Sequence, residues 1–175
     1  MAALASPVAS HFPELAGPNT TWGARDLDAF ETLRPGAVTL VRVEAGAGGD
    51  LLRGVARGAW ARDAGGLVRA ERLRLSSVAA DLARVDARVI VLAGLSDAAL
   101  LEDDGRTLLV EAAEAARSCA LRLQVPVLLI ERARRLSAAH PLHGVLEAAA
   151  DEVVALRRGG VVELPRRGAQ FLVNV

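Results

Sequence analysis

AVTLVRVEAGAGGDLL, residues 37–52, joins an apolar, β-branched run to a glycine-rich loop. The run follows Pro35-Gly36 and is typical of a buried strand. The loop leads into residues 51–62, whose pattern predicts a helix. Free backbone N–H groups at the start of a helix favour anions. A strand, a glycine turn and a helix in this order therefore form a candidate phosphate site in an α/β domain.

Apolar runs and helical patterns alternate along the middle of the chain. The runs predict strands at 66–70, 87–94 and 125–131, and the helical patterns cover about 76–85 and 105–123. Strands that are apolar on both faces are typical of a mostly parallel sheet with helices on both sides. We therefore expect a three-layer α/β domain.

The two ends of the chain follow different patterns. A strand within 150–158 passes through Gly159-Gly160 into VVEL, and QFLVNV closes the chain, which predicts an antiparallel hairpin extension at one edge of the sheet. Residues 1–20 contain three prolines and little periodicity, so we expect a flexible N-terminal arm. Residues 21–175 are long enough for a single domain.

The composition excludes several classes of protein. All basic side chains are arginines, so no lysine can contact a phosphate, form a Schiff base or act as a general base. The formal net charge is zero, which excludes bulk electrostatic coating of nucleic acid. The single Cys119 cannot form an intramolecular disulfide or a cysteine-based zinc site and is expected in the core. No apolar run is long enough to span a membrane, and we expect a cytoplasmic protein.

The glycine loop lacks the side chains of a working nucleotide site. Such loops end in a lysine that reaches the phosphates and a Ser/Thr hydroxyl that binds Mg²⁺. With Gly46 and Gly48 as loop glycines, Gly49 takes the lysine position and Asp50 the hydroxyl position. An aspartate at a helix start caps the N–H groups, worth about 0.5–2 kcal/mol, and repels a nucleotide. These residues alone fit both a tight turn with an aspartate cap and the remnant of a phosphate loop.

A longer stretch resembles a known family. TTWGARDLDAFETLRPGAVTLVRVEAGAGGDLL, residues 20–52, looks like the opening of the RecA-like ATPases, in the branch of the RadA repair protein, the DnaB-type helicases and the KaiC group. The matching pieces are Thr21, Gly23, Leu27-Asp28 and Pro35-Gly36, followed by the strand and the loop. Further on, VDARVIVLAGLS and VPVLLIERARR resemble later strands of the family, and Ala150, Asp151, Val153 and Val154 resemble its "Ala-Asp-x-Val" segment. The resemblance runs from about residue 20 to 158.

The sequence departs from this family at the catalytic positions. Besides Gly49 and Asp50, Ala93 stands where the family has its magnesium-binding aspartate, and Glu131 stands roughly where a glutamine is common. Glu71 matches either the catalytic glutamate or a surface residue. Without the lysine, the hydroxyl and the metal aspartate, nothing offsets the charge of the γ-phosphate during hydrolysis. The resemblance therefore implies a RecA-like pseudo-ATPase with no catalytic residue, no metal and no cofactor.

Arginine clusters are the candidates for contact with DNA. By resemblance, loops after the central strands face DNA and neighbouring subunits, and the arginines near them and near the terminal hairpin are Arg132, Arg134, Arg135, Arg157, Arg158, Arg166 and Arg167. A solvated or ion-paired rim explains them equally well. His140 and His143 sit three apart, but Pro141 and the lack of a third ligand favour a loop over a metal site.

Two functions remain open from the sequence. The first is a non-catalytic RecA-like protein in DNA repair, recombination or replication, acting through single- or double-stranded DNA or a protein partner, and forming a homo-oligomer. The second is a protein-interaction regulator on the same fold that never binds nucleic acid. An ATP-binding enzyme with an unusual site is a third alternative, against which the missing aspartate argues.

Overall fold

The computed structural model describes residues 22, 30–47, 67–70, 74–87, 89–132, 142 and 144–173. The predicted N-terminal arm, the predicted helix at 51–62, and Gly48, Gly49, Asp50 and Glu71 lie outside these residues.

The described strands form one seven-stranded sheet. They are β1 (Val38–Val43), β2 (Leu67–Ala70), β3 (Val89–Ala93), β4 (Val127–Arg132), β5 (Glu152–Leu156), β6 (Val161–Leu164) and β7 (Ala169–Leu172). Their order across the sheet is β2-β3-β4-β1-β5-β6-β7. The strands from β2 to β5 in this order are parallel, whereas β6 and β7 are antiparallel. The predicted mostly parallel sheet and its C-terminal hairpin extension are confirmed.

Four helices are described. They are α1 (Leu75–Arg84), α2 (Leu95–Ala99), α3 (Gly105–Leu123) and α4 (Val145–Ala149). The bounds of α3 are those that its apolar periodicity predicts, and the helix stops at Gln124, which adopts φ +53°. Helix α1 begins at Leu75, one residue before the predicted start at about 76. Arg74 precedes its first residue, and the Ser77 hydroxyl donates to the Arg74 carbonyl.

The sheet separates two apolar cores. Val38 and Leu40 of β1 lie in a core with residues of all four described helices, whereas Val41 lies on the opposite face with Trp22. Alternate residues of one strand therefore enter different cores, which is why the central strands carry apolar runs rather than an alternation of apolar and polar residues.

The second core contains a small polar group whose members satisfy one another. The indole N–H of Trp22 donates to the Thr32 hydroxyl at 2.7 Å, and the Thr39 hydroxyl donates to the Thr32 carbonyl. All three residues are buried. These bonds connect the segment before β1 to the strand itself and satisfy groups that would be costly to bury alone.

Candidate functional site

The parallel strands end at one edge of the sheet, the carboxyl edge. Val43, the last residue of β1, is in register with Arg132 of β4 on one side and with Leu156 of β5 on the other. On the side of β4 away from β1, Ala93 at the end of β3 is in register with Ile130 of β4. Strand order reverses direction around β1, and open α/β sheets bind ligands in the crevice at such a switch point. The carboxyl edge between β1 and β4 is therefore the candidate site.

The loop after β1 begins as a tight turn. The Glu44 N–H donates to the Leu156 carbonyl at 2.9 Å, which extends the pairing of β1 with β5, and the Ala47 N–H donates to the Glu44 carbonyl at 2.9 Å. Gly46 has φ +81°, a conformation that favours glycine. The Glu44 carboxylate accepts the backbone N–H of Arg158 at 3.2 Å and lies 3.4 Å from its guanidinium. A carboxylate with its own cation thus stands at the start of the candidate loop.

The end of β3 carries no group that could bind a metal. Ala93 is exposed there, and Gly94 follows with φ +78° and donates its N–H to the Ile130 carbonyl at 3.0 Å. The methyl group of Ala93 has no oxygen to offer a cation. In the part of the chain that the structure describes, no three metal-binding side chains come together.

A polar cluster lies at the carboxyl edge, on the face of the sheet that packs against the four described helices. Glu131 accepts a hydrogen bond from the Ser96 hydroxyl, and the Arg42 guanidinium pairs with Glu147 of α4 at 2.6 Å. Burial raises the pKa of the Glu131 carboxyl, while the Ser96 hydrogen bond and the charge of Arg42 lower it and that of Asp97 raises it. This arrangement can hold or release a proton at Glu131, but its charges are largely satisfied within the chain.

Sequence reasoning identified Glu131 but missed its neighbours. Arg42 and Glu131 are in direct register on β1 and β4, so their side chains share a face. The available signal was Arg42 itself, the only charged residue in a strand otherwise apolar apart from Thr39. Its partner Glu147 lies 105 positions away, beyond the reach of any local pattern.

The candidate DNA-contact arginines fall at two ends of the sheet. Arg132, Arg157 and Arg158 are exposed at the carboxyl edge, at or just after the ends of β4 and β5. Arg166 and Arg167 lie in the turn from β6 to β7. Because β6 runs antiparallel to β5, this turn lies at the amino ends of the parallel strands, the edge opposite the carboxyl edge, beside the start of β5. The five of the seven predicted residues that the structure describes are therefore divided between opposite ends of the parallel strands. Arg134 and Arg135, like His140 and His143, lie outside the described residues.

The four arginines near the hairpin bind acceptors within the chain. Arg157 pairs with Glu163 at 2.9 Å, and Arg158 pairs with Glu44. Arg166 donates to the carbonyls of Ala150 at 2.6 Å and Glu147 at 2.5 Å. Arg167 pairs with the buried Glu152 at 2.5 Å and stacks over the Phe30 ring, which is itself stacked on Phe171. A DNA phosphate would have to compete with these partners.

Comparisons with known proteins identify the fold. No family model matches the chain, and no curated protein matches it. A solved structure with the description "Crystal structure of the RadB recombinase" is similar at a TM-score of 0.58 and 13% identity, over 89% of this chain and 94% of that one. A KaiC-like protein, PH0186 from Pyrococcus horikoshii OT3, is similar at a TM-score of 0.53 and 16% identity, over 77% of this chain and 82% of that one. At such low identities the similarity establishes the fold, and this chain has a RecA-like fold.

Proposed function

We propose that the protein is a non-catalytic RecA-like protein, a pseudo-ATPase that acts in DNA repair, recombination or replication through contacts with DNA, with protein, or with both. The observation that carries the proposal is Ala93, a methyl group at the end of β3 where the resemblance expects a metal-binding aspartate. The recombinase among the similar structures supports the process only by analogy of fold.

The proposed loss of activity follows from charge. Hydrolysis of a nucleotide needs cations at the β- and γ-phosphates, which related sites supply with a lysine and Mg²⁺. This chain has no lysine, and its loop begins with the carboxylate of Glu44, whose cation Arg158 is already paired. Among the described residues, neither the start of this loop nor the end of β3 therefore supplies a free cation or a metal ligand for phosphoryl transfer.

A second candidate function is a protein-interaction regulator without nucleic-acid binding. The split of the arginines between opposite edges, and their engagement by carboxylates and carbonyls, favours it. Under either function we expect a cytoplasmic protein that assembles with itself or with a repair or replication partner. No helix in the described ranges is long and apolar enough to cross a membrane.

A titration of nucleotide tests the pseudo-ATPase. A ligand at a hundred times its Kd stabilises a protein by about 2.7 kcal/mol, which raises the Tm of a chain of this length by about 5–10 °C. We expect Mg-ATP to leave the Tm unchanged. A rise of several degrees that requires Mg²⁺ contradicts the proposal and favours an ATP-binding enzyme.

A titration of labelled DNA separates the two remaining functions. Fluorescence anisotropy with single- and double-stranded DNA at two salt concentrations should show binding that weakens with salt if the carboxyl-edge arginines contact phosphates. Arg132→Ala should then reduce the slope of log K against log salt by about one. Arg166→Ala, at the opposite edge, is the matched control and should leave the slope unchanged. Absence of DNA binding at low salt favours the protein-interaction regulator.

A further inference from the structure

In the part of the chain that the structure describes, β7 is the last strand of the sheet, and its outer edge carries backbone groups that face away from β6. The Val173 N–H donates to the Gly160 carbonyl at 2.8 Å, so Val173 directs its backbone groups toward β6. Hydrogen-bonded and non-hydrogen-bonded pairs alternate in an antiparallel ladder. From the register of β6 with β7, the backbone N–H and C=O groups of Phe171 and Ala169 also face β6. Those of Gln170 and Leu172 point outward, away from the sheet.

The side chains along this edge do not protect it. Natural edge strands avoid pairing with other chains through charges, prolines or bulges. Residues 168–173, GAQFLV, contain none of the charged residues or prolines that would do so. Leu172 is 65% exposed on the face of the hairpin that also carries Gln170, while Phe171, on the other face, packs against the second core and stacks on Phe30.

The two arginines that precede β7 are turned away from the edge. Arg166 reaches back to the carbonyls of Ala150 and Glu147, and Arg167 reaches the carboxylate of Glu152. Their positions in the sequence, next to the edge strand, are ones where charged residues could prevent pairing with another chain. Their guanidinium groups instead bind acceptors within the same chain. The edge is therefore uncharged along the length of β7.

We propose that the β7 edge pairs with the β7 edge of a second copy of this chain. A two-fold axis perpendicular to the sheet makes the two strands antiparallel and keeps like faces together. In the register centred on Phe171, the outward groups of Gln170 in one copy meet those of Leu172 in the other, and the two exposed Leu172 side chains become diagonal neighbours. An uncharged edge favours a second copy because self-pairing brings no like charges together. The pairing joins two seven-stranded sheets into one.

Sedimentation equilibrium over a concentration series tests this interface. The mass should rise from 18.3 kDa toward twice that value as the concentration increases. Gln170→Pro removes an outward N–H without removing a bond to β6, so it should weaken the dimer about tenfold or more, since a hydrogen bond is lost at both symmetric positions. Gln170→Ala keeps the N–H and should dimerise like the unmodified protein. Unchanged thermal unfolding of the Gln170→Pro monomer shows that the variant is folded.

A charge exchange tests both the partner and the register. Leu172→Glu alone places two like charges near the axis and should weaken the dimer. Adding Gln170→Lys places each lysine opposite a glutamate of the other copy and should restore it. A protein that stays monomeric at all concentrations overturns the proposal, as does a dimer that Gln170→Pro leaves intact. A dimer that the second substitution fails to restore overturns the register centred on Phe171. None of these outcomes depends on the proposed pseudo-ATPase.

Discussion

Arg167 is expected to stabilise the protein far more than the other hairpin arginines. Its guanidinium pairs with the carboxylate of Glu152, which is only 5% exposed, and stacks over the Phe30 ring. Arg167→Ala leaves a buried carboxylate without its cation. Losing a charged hydrogen bond costs about 1.5–3 kcal/mol and losing the ring contact about 0.5–1 kcal/mol. We therefore expect Arg167→Ala to lower the free energy of unfolding by about 2–4 kcal/mol.

Chemical denaturation measures this loss, and thermal unfolding should show a Tm lower by about 4–16 °C for a chain of this length. Arg158→Ala is the matched control. Its pair with Glu44 is exposed and 3.4 Å long, so its removal should cost less than about 1 kcal/mol. Glu152→Gln in the Arg167→Ala background removes the buried charge and keeps an oxygen for the Val153 N–H, which Glu152 now accepts at 3.1 Å. It should recover part of the stability.

Two results would refute this reasoning. One is an Arg167→Ala variant as stable as Arg158→Ala, which would mean that Glu152 finds solvent or another partner. The other is a double variant no more stable than Arg167→Ala. If Arg167→Ala instead keeps its stability and loses salt-dependent DNA binding, Arg167 contacts DNA rather than the core.

Four further substitutions follow from burial and packing. The raised pKa of Glu131 means that the folded state keeps this proton at pH values above the ordinary pKa of 4.5, where the unfolded chain has lost it. The contribution of this group to stability therefore falls as the pH rises from 4.5 through the raised pKa. Glu131→Gln should therefore be more stable than the unmodified protein in urea near pH 7 and lose the advantage near pH 4. Gly105→Ala places a Cβ 1.8 Å from the Ala99 carbonyl oxygen, and guanidinium unfolding should show a loss of about 1–3 kcal/mol. Leu129→Ala in the core should cost about 2–5 kcal/mol by the same assay, whereas Leu101→Ala, at a residue 88% exposed, should cost less than about 0.5 kcal/mol.

Much of the fold could be predicted because its signals are local. The apolar run at 37–43, the periodicity of 105–123 and the glycines at 159 and 160 each report the burial or backbone conformation of one element. Strand order could not be predicted from the residues in the same way. Val38 pairs with Val127, and a single apolar run carries no mark of which distant run it will join.

The site was predictable only in part. Ala93 and Glu131 could be placed at strand ends because strands and their ends can be recognised from sequence. The contact of Glu131 with Ser96, and the neighbouring pair of Arg42 and Glu147, depend on strand register and on where α4 packs. Those are set by the whole core rather than by any one segment.

The sequence by itself determined that the central strands are buried on both faces and that no lysine can contact a phosphate, since both are properties of residue types and their spacing. Only the tertiary structure decided the partners of the arginines. The antiparallel return of β6 carries Arg166 and Arg167 to the edge opposite Arg157 and Arg158, although these pairs are close in sequence. The sequence gives the number and sign of the charged residues. The strength of their interactions depends on the distances between them and on their burial, and the order of the strands in the sheet fixes both of these quantities.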